Sequence, residues 1–402
     1  IWLMDRRGGE AKQLTDIKKG DLSDYAWSPD GKKIAFTVLN RLYVADYPKG
    51  TPKRLTNLEF TEAQPTWSND GSQITFVTWT AQGGSLYKVQ ADGSNLQKIT
   101  SVPALYSQPA YAPKDDKIVF IRSKMRAYKE SVGPVANGSE DELCWIETKG
   151  GDITVIDQAK GREYPHFVKK QTDRIYLSGG DGSVVSIKWD GTDEKTHAKV
   201  SGITTYGMSI EGEDFAHNCM LSERTASAME VNRASNASKV LMSPDGEKAL
   251  AQINNDIYSM TIPQTGKTVS ISVADASSAQ FPAKKLTDLG GEFPSWSSDS
   301  KKIRWALGRF HFEYDLDKSV AFEDSVKSAK KAQEKAKADS ISKAKTDTVK
   351  IKTDVKPKVA KAATKKTDDT YKPVETEIKV YYEKDIPQSA ILLRGGRIIT
   401  MK

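Results

Sequence analysis

The first 316 residues consist of short stretches in which apolar and polar residues alternate, separated by turns rich in Gly, Pro, Asp and Asn. Alternation with a period of two is typical of β-strands that bury one face. One unit recurs six times: a bulky apolar residue, a polar turn, and a strand that begins seven or eight residues after the bulky residue. These bulky residues, called anchors below, are Trp27, Trp67, Tyr111, Phe167, Met242 and Trp296. The pattern predicts an all-β fold built from a repeated unit.

The turn after the anchor reads Ser-Pro-Asp-Gly in two copies and Ser-Asn-Asp-Gly in a third. Gly accepts a positive φ and the Asp side chain bonds its own backbone, so this composition predicts a tight hairpin turn. The residues expected to form such turns are Asp30, Gly31, Asp70, Gly71, Asp245 and Gly246. A further strand and a short strand ending in Leu-Thr or Ile-Thr follow, as at Leu55-Thr56. Each repeat is therefore predicted to be a four-stranded antiparallel sheet.

Successive anchors are 40, 44, 56, 75 and 54 residues apart. The first two distances match one blade of a β-propeller, which takes about 40–45 residues, and the longer ones predict insertions at 124–140 and 201–235. A β-sandwich would not repeat one unit six times, whereas each blade of a propeller presents the same apolar face to its neighbour. We therefore expect the anchors to fill the seams between blades.

Residues 1–4 and 12–15 look like the last two strands of an additional blade. Six anchor repeats plus this half blade predict a ring of six or seven blades. A six-bladed ring closed by the N-terminal strand is the alternative. The expected propeller spans residues 1–316.

The anchor, the Ser-Pro-Asp-Gly-Lys turn at 28–32 and the strand after it resemble the PD40, or WD40-like, repeat of TolB-type β-propellers. The resemblance covers about residues 1–316 and implies the fold more specifically than the function. It also implies a periplasmic or exported protein. A peptide or protein ligand on one face of the propeller is the partner that such a fold suggests.

The charge of the chain is concentrated in one tract. The whole chain carries 60 Lys and Arg against 53 Asp and Glu, a net charge of +7. Residues 325–370 hold fourteen Lys and six acidic residues, so the rest of the chain is close to neutral. This tract has no interleaved aromatic residues, which argues against nucleic-acid binding. We expect residues 317–373 to be a Lys-rich linker, part helical or disordered.

The run from Ile391 to Met401 resembles the opening strand of the amidohydrolase superfamily. This resemblance implies that residues 374–402 begin a β-sandwich, and that a metal-binding barrel follows with zinc as the expected divalent metal. The chain would then be a fragment cut at both ends, and its partner would be its own downstream catalytic domain.

The sequence offers little catalytic chemistry of its own. His166, His197, His217 and His311, the only histidines, have no spacing typical of metal ligands. Residues 207–211 nearly match a serine-nucleophile motif, and residues 266–268 resemble the end of a P-loop, but both lack the required glycines. There is no run of 18 apolar residues. We expect no catalytic residue, no cofactor or metal site and no transmembrane segment in these 402 residues.

Three functional hypotheses follow. The first is a non-catalytic accessory propeller that gates or positions the substrate of a metal-dependent amidohydrolase. The alternative is a TolB-like propeller that binds proteins in the cell envelope. A third, weaker alternative is the propeller of a prolyl-oligopeptidase-type peptidase.

Overall fold

Six blades, each with four antiparallel strands, follow one another along the chain in the computed structural model, and the sheet of the fourth blade holds two further strands. The structure describes residues 2–3, 12–13, 22–130, 140–203, 234–263, 265–276, 279–346 and 370–380. The four strands of each blade form a meander in chain order, and in the fifth blade one strand that pairs elsewhere lies between the last two. A separate two-stranded sheet lies at the start of the chain and contains β1 (Trp2–Leu3) and β2 (Lys12–Gln13).

The first three blades have the simplest connections. Blade 1 contains β3 (Leu22–Trp27), β4 (Lys33–Val38), β5 (Arg41–Asp46) and β6 (Lys53–Arg54). Blade 2 contains β7 (Thr61–Trp67), β8 (Gln73–Trp79), β9 (Ser85–Gln90) and β10 (Gln97–Lys98). Blade 3 contains β11 (Leu105–Tyr111), β12 (Lys117–Ser123), helix α1 (Met125–Glu130), β13 (Glu142–Glu147) and β14 (Thr154–Gln158).

Blades 4 and 5 are linked by a strand that lies within the sequence of blade 5 but pairs with blade 4. Blade 4 contains β15 (Arg162–His166), β16 (Arg174–Gly179), β17 (Ser183–Lys188) and β18 (Lys195–Ile203), with β19 (Ala234–Asn236) paired to β18. Blade 5 contains β20 (Lys239–Met242), β21 (Lys248–Ile253), β22 (Asp256–Thr261) and β24 (Ala283–Lys285). Between its last two strands, β23 (Val269–Ser272) crosses to blade 4 and pairs in parallel with β18. This crossing strand ties the two blades together.

Blade 6 is interrupted by a long helix. It contains β25 (Glu292–Trp296), β26 (Lys302–Leu307), β27 (Phe310–Asp315), helix α2 (Leu316–Thr346) and β28 (Val374–Glu377). The start of α2 docks on the sheet, since the Tyr314 hydroxyl lies 2.7 Å from Ser319 Oγ and Phe322 packs against Tyr371. Part of the predicted Lys-rich linker is thus helical, and residues 347–369 lie outside the described residues.

The six sheets close into a propeller ring. The first strands contact one another in turn, from β3 through β7, β11 and β15 to β20, and β25 contacts β3. The first strands therefore surround the axis. We call the face that carries the anchor turns and the third-to-fourth strand connections the turn face. The opposite face, which carries the second-to-third strand hairpins and the links between blades, is called the far face.

The apolar core is divided among the seams of the ring. Six clusters of buried side chains each combine residues of two neighbouring blades. Each anchor lies in one of these clusters, packed on the blade before it: Trp27, Trp67, Tyr111, Phe167, Met242 and Trp296. The indole N–H of Trp67 donates to the Ala26 carbonyl at 3.0 Å, and that of Trp296 donates to Leu241 at 3.0 Å. Burial and this bond explain why Trp suits the position.

The seam between blades 6 and 1 corrects two predicted boundaries. Strand β28 pairs antiparallel with β27 and is the fourth strand of blade 6. Just after it, Ile378 and Val380 are buried in one cluster with Ile34 and Phe36 of blade 1. Propeller boundaries at 316 and 374 are therefore wrong, because the fourth strand arrives only after the Lys-rich insertion. The predicted amidohydrolase strand, 391–401, lies outside the described residues.

Candidate functional site

Five of the six first strands contain a β-bulge at the same position. The bulged residue lies three before the anchor, has a positive φ of 50–55°, and interrupts the register of the sheet. These residues are Asp24, Gln64, Gln108, Tyr164 and Phe293. A bulge removes the residue from the regular strand ladder. Its backbone N–H then needs another acceptor.

The side chain of the preceding blade supplies this acceptor at three seams. The Asp24 carboxylate accepts a hydrogen bond from the N–H of Gln64. Gln64 Oε1 accepts from the N–H of Gln108 at 2.7 Å, and Gln108 Oε1 accepts from the N–H of Tyr164 at 2.6 Å. A chain of hydrogen bonds thus runs around the axis from blade 1 to blade 4 and fixes these side chains in place.

Blade 5 breaks this pattern. Its first strand pairs regularly with β21, and the equivalent residue is Lys239. The ammonium group of Lys239 lies 3.8 Å from the centroid of the Tyr164 ring, which is a cation–π contact. We call the six equivalent residues, one per blade, the axial ring: Asp24, Gln64, Gln108, Tyr164, Lys239 and Phe293.

The two charged members of the axial ring are strongly affected by burial. Burial raises the pKa of Asp24, while the Gln64 N–H, the Thr37 hydroxyl and the charge of Lys239 act in the opposite direction. Burial lowers the pKa of Lys239 to about 8, against the attraction of Glu163 and Asp24. Both shifts have the sign expected for charges withdrawn from water.

The axial ring lies near the middle of the first strands of blades 1 to 3. Every first strand begins at the far face and ends at its anchor turn. Gln64 and Gln108 are each the fourth of seven residues, whereas Lys239 is the first residue of its shorter strand. On the turn face, hydrogen bonds join neighbouring anchor turns. Ser298 Oγ donates to the Pro29 carbonyl at 2.6 Å, and the N–H of Asp245 donates to Ser300 Oγ at 3.0 Å.

Exposed apolar side chains also collect on the far face. Leu39 is 55% exposed and has a φ of 48° at the tip of a hairpin, a strained conformation for Leu. Leu289, in the link before blade 6, is 84% exposed. Phe60 and Val102 are exposed in the links that follow blades 1 and 2. Apolar surface of this kind favours contact with another molecule.

Two cavities lie elsewhere, at the closing seam. One of about 180 Å³ is lined by Asp30, Tyr47, Arg304 and Glu313, among others. Another of about 350 Å³ lies between residues 45–52 of blade 1 and 376–379 of blade 6. Their walls mix acids and bases that already pair with each other, such as Arg304 Nε and Glu313 at 2.8 Å. This pairing leaves little charge for a ligand.

His311 occupies an aromatic box in the same seam. Its ring lies 4.7 Å from that of Trp27 and 5.8 Å from that of Tyr25, between centroids. Both of its nitrogens are buried without a hydrogen-bond partner among the described residues, as is Trp27 Nε1. Burial lowers the pKa of His311 to about 3. The imidazole therefore packs as a neutral ring.

The other histidines in the described ranges serve the fold. His166 Nε2 accepts the N–H of Met242 at 2.9 Å, so its Nδ1 donates to the Tyr164 carbonyl at 2.8 Å. His197 Nε2 lies 2.7 Å from Ser186 Oγ, but Ser186 is fully buried and also accepts a bond from Arg174. A nucleophile must reach its substrate, so this pair is structural. His217, Cys219 and residues 207–211 lie outside the described residues.

No group of three or more metal-ligating side chains occurs in the described parts of the chain. Burial raises the pKa of Cys144 to about 12, which keeps this thiol protonated and unreactive. No helix within those parts is long and apolar enough to span a bilayer.

The residues predicted for the turns form a repeated local structure. Ser28 Oγ donates to Asp30 Oδ1 at 2.7 Å, and Asp30 Oδ1 accepts the N–H of Lys32 at 3.0 Å. The turns around Asp70 and Asp245 repeat both bonds. The glycines that follow these three aspartates, Gly31, Gly71 and Gly246, have φ values of 70–80°.

The axial ring was not predicted from the sequence. A signal was present: when the repeats are aligned on their anchors, the position three before the anchor holds Asp, Gln and Gln in blades 1 to 3. Each of these side chains carries an oxygen acceptor. Glu62 was also missed; it is buried and accepts the N–H of Leu42 at 2.7 Å together with the Thr56 hydroxyl.

Several curated proteins resemble part of this chain. An uncharacterised protein of Agrobacterium fabrum is 30% identical over 47% of this chain and 57% of its own length. The uncharacterised peptidase YuxL of Bacillus subtilis is 29% identical over 40% of this chain and 22% of its own length. A TolB homolog of Chlorobium luteolum is 30% identical over 29% of this chain and 27% of its own length. The chain thus matches little more than half, or less, of each relative.

A family comparison agrees with the fold. The model of the TolB beta propeller domain, PD40, matches residues 1–148. This range contains the first two blades and the first three strands of blade 3. Residues 1–148 therefore resemble the TolB-type β-propeller domain, and they form part of a ring of six four-stranded blades.

Proposed function

We propose that this propeller is a non-catalytic protein-binding module that receives an extended peptide segment of its partner in the axial ring. The observation that carries the proposal is the ring itself, whose polar side chains are held in place by bonds between blades. Preorganised groups bind a ligand without the entropy cost of ordering them. The TolB-type match of residues 1–148 supports a binding role, because propellers of this type bind proteins.

The far face provides the surface around the entrance. Its exposed Leu39, Phe60, Val102 and Leu289 would contact the folded part of the partner while one segment of the partner binds at the axial ring. Apolar residues around a few fixed polar groups are the usual composition of a binding site. We further propose a periplasmic or exported location, on the strength of the TolB-type resemblance, which cell fractionation tests.

Photo-crosslinking to selected peptides tests the binding site. The full chain is used to select binders from a library of random peptides displayed with free carboxyl termini. The photoreactive analogue p-benzoylphenylalanine then replaces Phe293 in the axial ring, Leu289 on the far face, or Leu96 on the turn face. All three native side chains are apolar, and Leu96 is 38% exposed, so it serves as the matched control.

Crosslinks from positions 293 and 289, with none from position 96, are the expected result. Failure to select any peptide, or crosslinks from position 96 alone, would contradict a binding site on the axis. The assay therefore separates binding at the axial ring from contact with an unrelated surface.

An accessory role beside an amidohydrolase is a second proposal, supported by the resemblance of residues 391–401 to the opening strand of that superfamily. Its catalytic metal would be bound by a downstream domain. Sequencing the gene beyond the codon for Lys402 tests it directly: a His-x-His motif supports the role, and its absence removes it. A Gly-x-Ser-x-Gly motif found there would instead favour the peptidase alternative.

A further inference from the structure

Lys239 is the one cationic member of the axial ring. In blades 1 to 3 the equivalent side chains are Asp or Gln, and each accepts a hydrogen bond from the next blade. A lysine ammonium has only donors and cannot take that role. The first strand of blade 5 has no bulge at this position, and its outward N–H groups, those of Val240 and Met242, already donate to Ser178 and His166 of blade 4. At Lys239 the axial ring therefore presents a hydrogen-bond donor in place of an acceptor.

The ammonium group of Lys239 has little to bind among the described residues. It lies over the face of Tyr164 at 3.8 Å, and no carboxylate of the described residues comes within ion-pair distance of it. Glu163 and Asp24 act on it only through longer-range attraction. A cation–π contact satisfies the charge from one side, and no described residue accepts a hydrogen bond from the ammonium. A partly buried cation with free donors is costly unless an acceptor arrives.

The surrounding charges restrict which acceptor fits. Asp24 and Glu163 place two negative charges around the single positive charge of Lys239. A polyanion such as a nucleic acid or a polyphosphate would be repelled by this balance. A single carboxylate next to neutral or basic groups would satisfy Lys239 and remain compatible with Asp24. Phe293, between Lys239 and Asp24 in the order of the blades, offers an apolar contact.

We propose that Lys239 binds one carboxylate of a peptide segment that enters the axial ring from the far face. The carboxylate belongs either to the C-terminus of the partner or to an Asp or Glu side chain. This inference rests on the proposed peptide-binding function and names the chemistry that the site selects. Tyr164 positions the ammonium, and Lys239 determines specificity.

A double-mutant cycle tests the pairing. One peptide selected by the full chain is synthesised with its native carboxylates, as the C-terminal amide, and with each Asp or Glu replaced by its amide counterpart. Affinities for wild type and Lys239→Met are measured by calorimetry, since Met keeps an unbranched apolar side chain against Tyr164. Lys98→Met, an exposed lysine on the outer strand of blade 2, is the control.

Lys239→Met is expected to weaken binding of the acid peptide about 10- to 100-fold, as for a hydrogen bond to a charged group. It should leave the affinity for the matching amide peptide unchanged, and Lys98→Met should affect neither. The peptide amide whose binding no longer depends on Lys239 shows which carboxylate Lys239 binds, at the C-terminus or on an Asp or Glu side chain.

Two outcomes overturn the inference and are distinguishable from failure of the proposed function. If the peptide crosslinks at position 293 but acid and amide forms bind equally, the axial site stands and the carboxylate preference is wrong. If Lys239→Met weakens both forms equally while its melting temperature is unchanged, Lys239 supplies general contact and not carboxylate recognition. Absence of any crosslink at position 293 removes the proposed function itself.

Discussion

Replacing Ile378 by Ala tests whether the segment after β28 seals the propeller ring. Ile378 is 9% exposed and is buried with Ile34 and Phe36 of blade 1, while its backbone N–H donates to the Arg309 carbonyl of blade 6 at 3.0 Å. One residue thus joins the last blade to the first. The substitution removes this apolar contact and leaves the backbone bond in place.

The expected loss follows from the burial. The change deletes three carbon atoms, and at about 0.8 kcal/mol for each buried group the transfer cost is about 2 kcal/mol. A residual cavity adds to this, and buried Ile-to-Ala changes generally cost about 2–5 kcal/mol. Val374→Ala in the same segment is the control, because Val374 is 53% exposed and its loss should cost no more than about 0.5 kcal/mol.

Urea unfolding followed by tryptophan fluorescence measures the two variants, and hydrogen exchange locates the effect. We expect faster exchange in β4 and β27, on the two sides of the seam, in Ile378→Ala only. Equal stabilities for the two variants would refute the reasoning. The segment 374–380 would then be peripheral, and a propeller ending at residue 316 would regain support.

Three other predictions use matched variants. Gly31 and Gly266 have φ values of 70° and 69°, but a Cβ on Gly31 would lie 3.0 Å from the Arg304 guanidinium, whereas a Cβ on Gly266 would have no described atom within 4 Å. Gly266→Ala should therefore cost about 1 kcal/mol of stability and Gly31→Ala more, and equal melting temperatures for the two variants would contradict this. Thr287→Val leaves the buried N–H of Ile257 without its hydroxyl partner and should cost about 1–3 kcal/mol in urea unfolding, while Thr287→Ser should recover most of it. The pKa of His311 is about 3 in the folded protein and 6.5 in the unfolded chain, so the unfolded chain binds the proton first and stability falls as the pH drops below 6.5. His311→Phe should keep the fold and flatten the pH dependence of the urea midpoint between about pH 7 and about pH 5, and an unchanged slope would be evidence against this.

The sequence predicts the repeated features because their causes are local. The alternation, the Asp-Gly turns and the anchors are each set by residues within a few positions of one another, and the structure places strands and turns there. The short Leu-Thr strand is another such case. Its role appears only in three dimensions, where Thr287 accepts the N–H of Ile257, on the strand beside it, at 3.1 Å.

The features that the sequence does not predict depend on distant pairing. Strand β28 is a four-residue strand with two glutamates, separated from β27 by the whole Lys-rich insertion, and only the open edge of β27 identifies it as part of the propeller. Strand β23 is similar, because it leaves blade 5 to pair with β18 of blade 4. The axial ring depends on bulges, whose positive φ values fall on Asp, Gln, Tyr and Phe rather than on Gly.

Lys239 shows how stability and ligand binding can be separated in this ring. If Lys239 were retained for the fold, its removal would be costly. Yet its ammonium has a π face but no carboxylate within ion-pair distance among the described residues, and burial lowers its pKa to about 8. Burying such a charge opposes folding, so Lys239→Met should leave the melting temperature unchanged or raise it. A residue that costs stability and fits no structural role is best explained by what it binds. The same variant that stabilises the empty propeller should therefore lose its preference for a carboxylate.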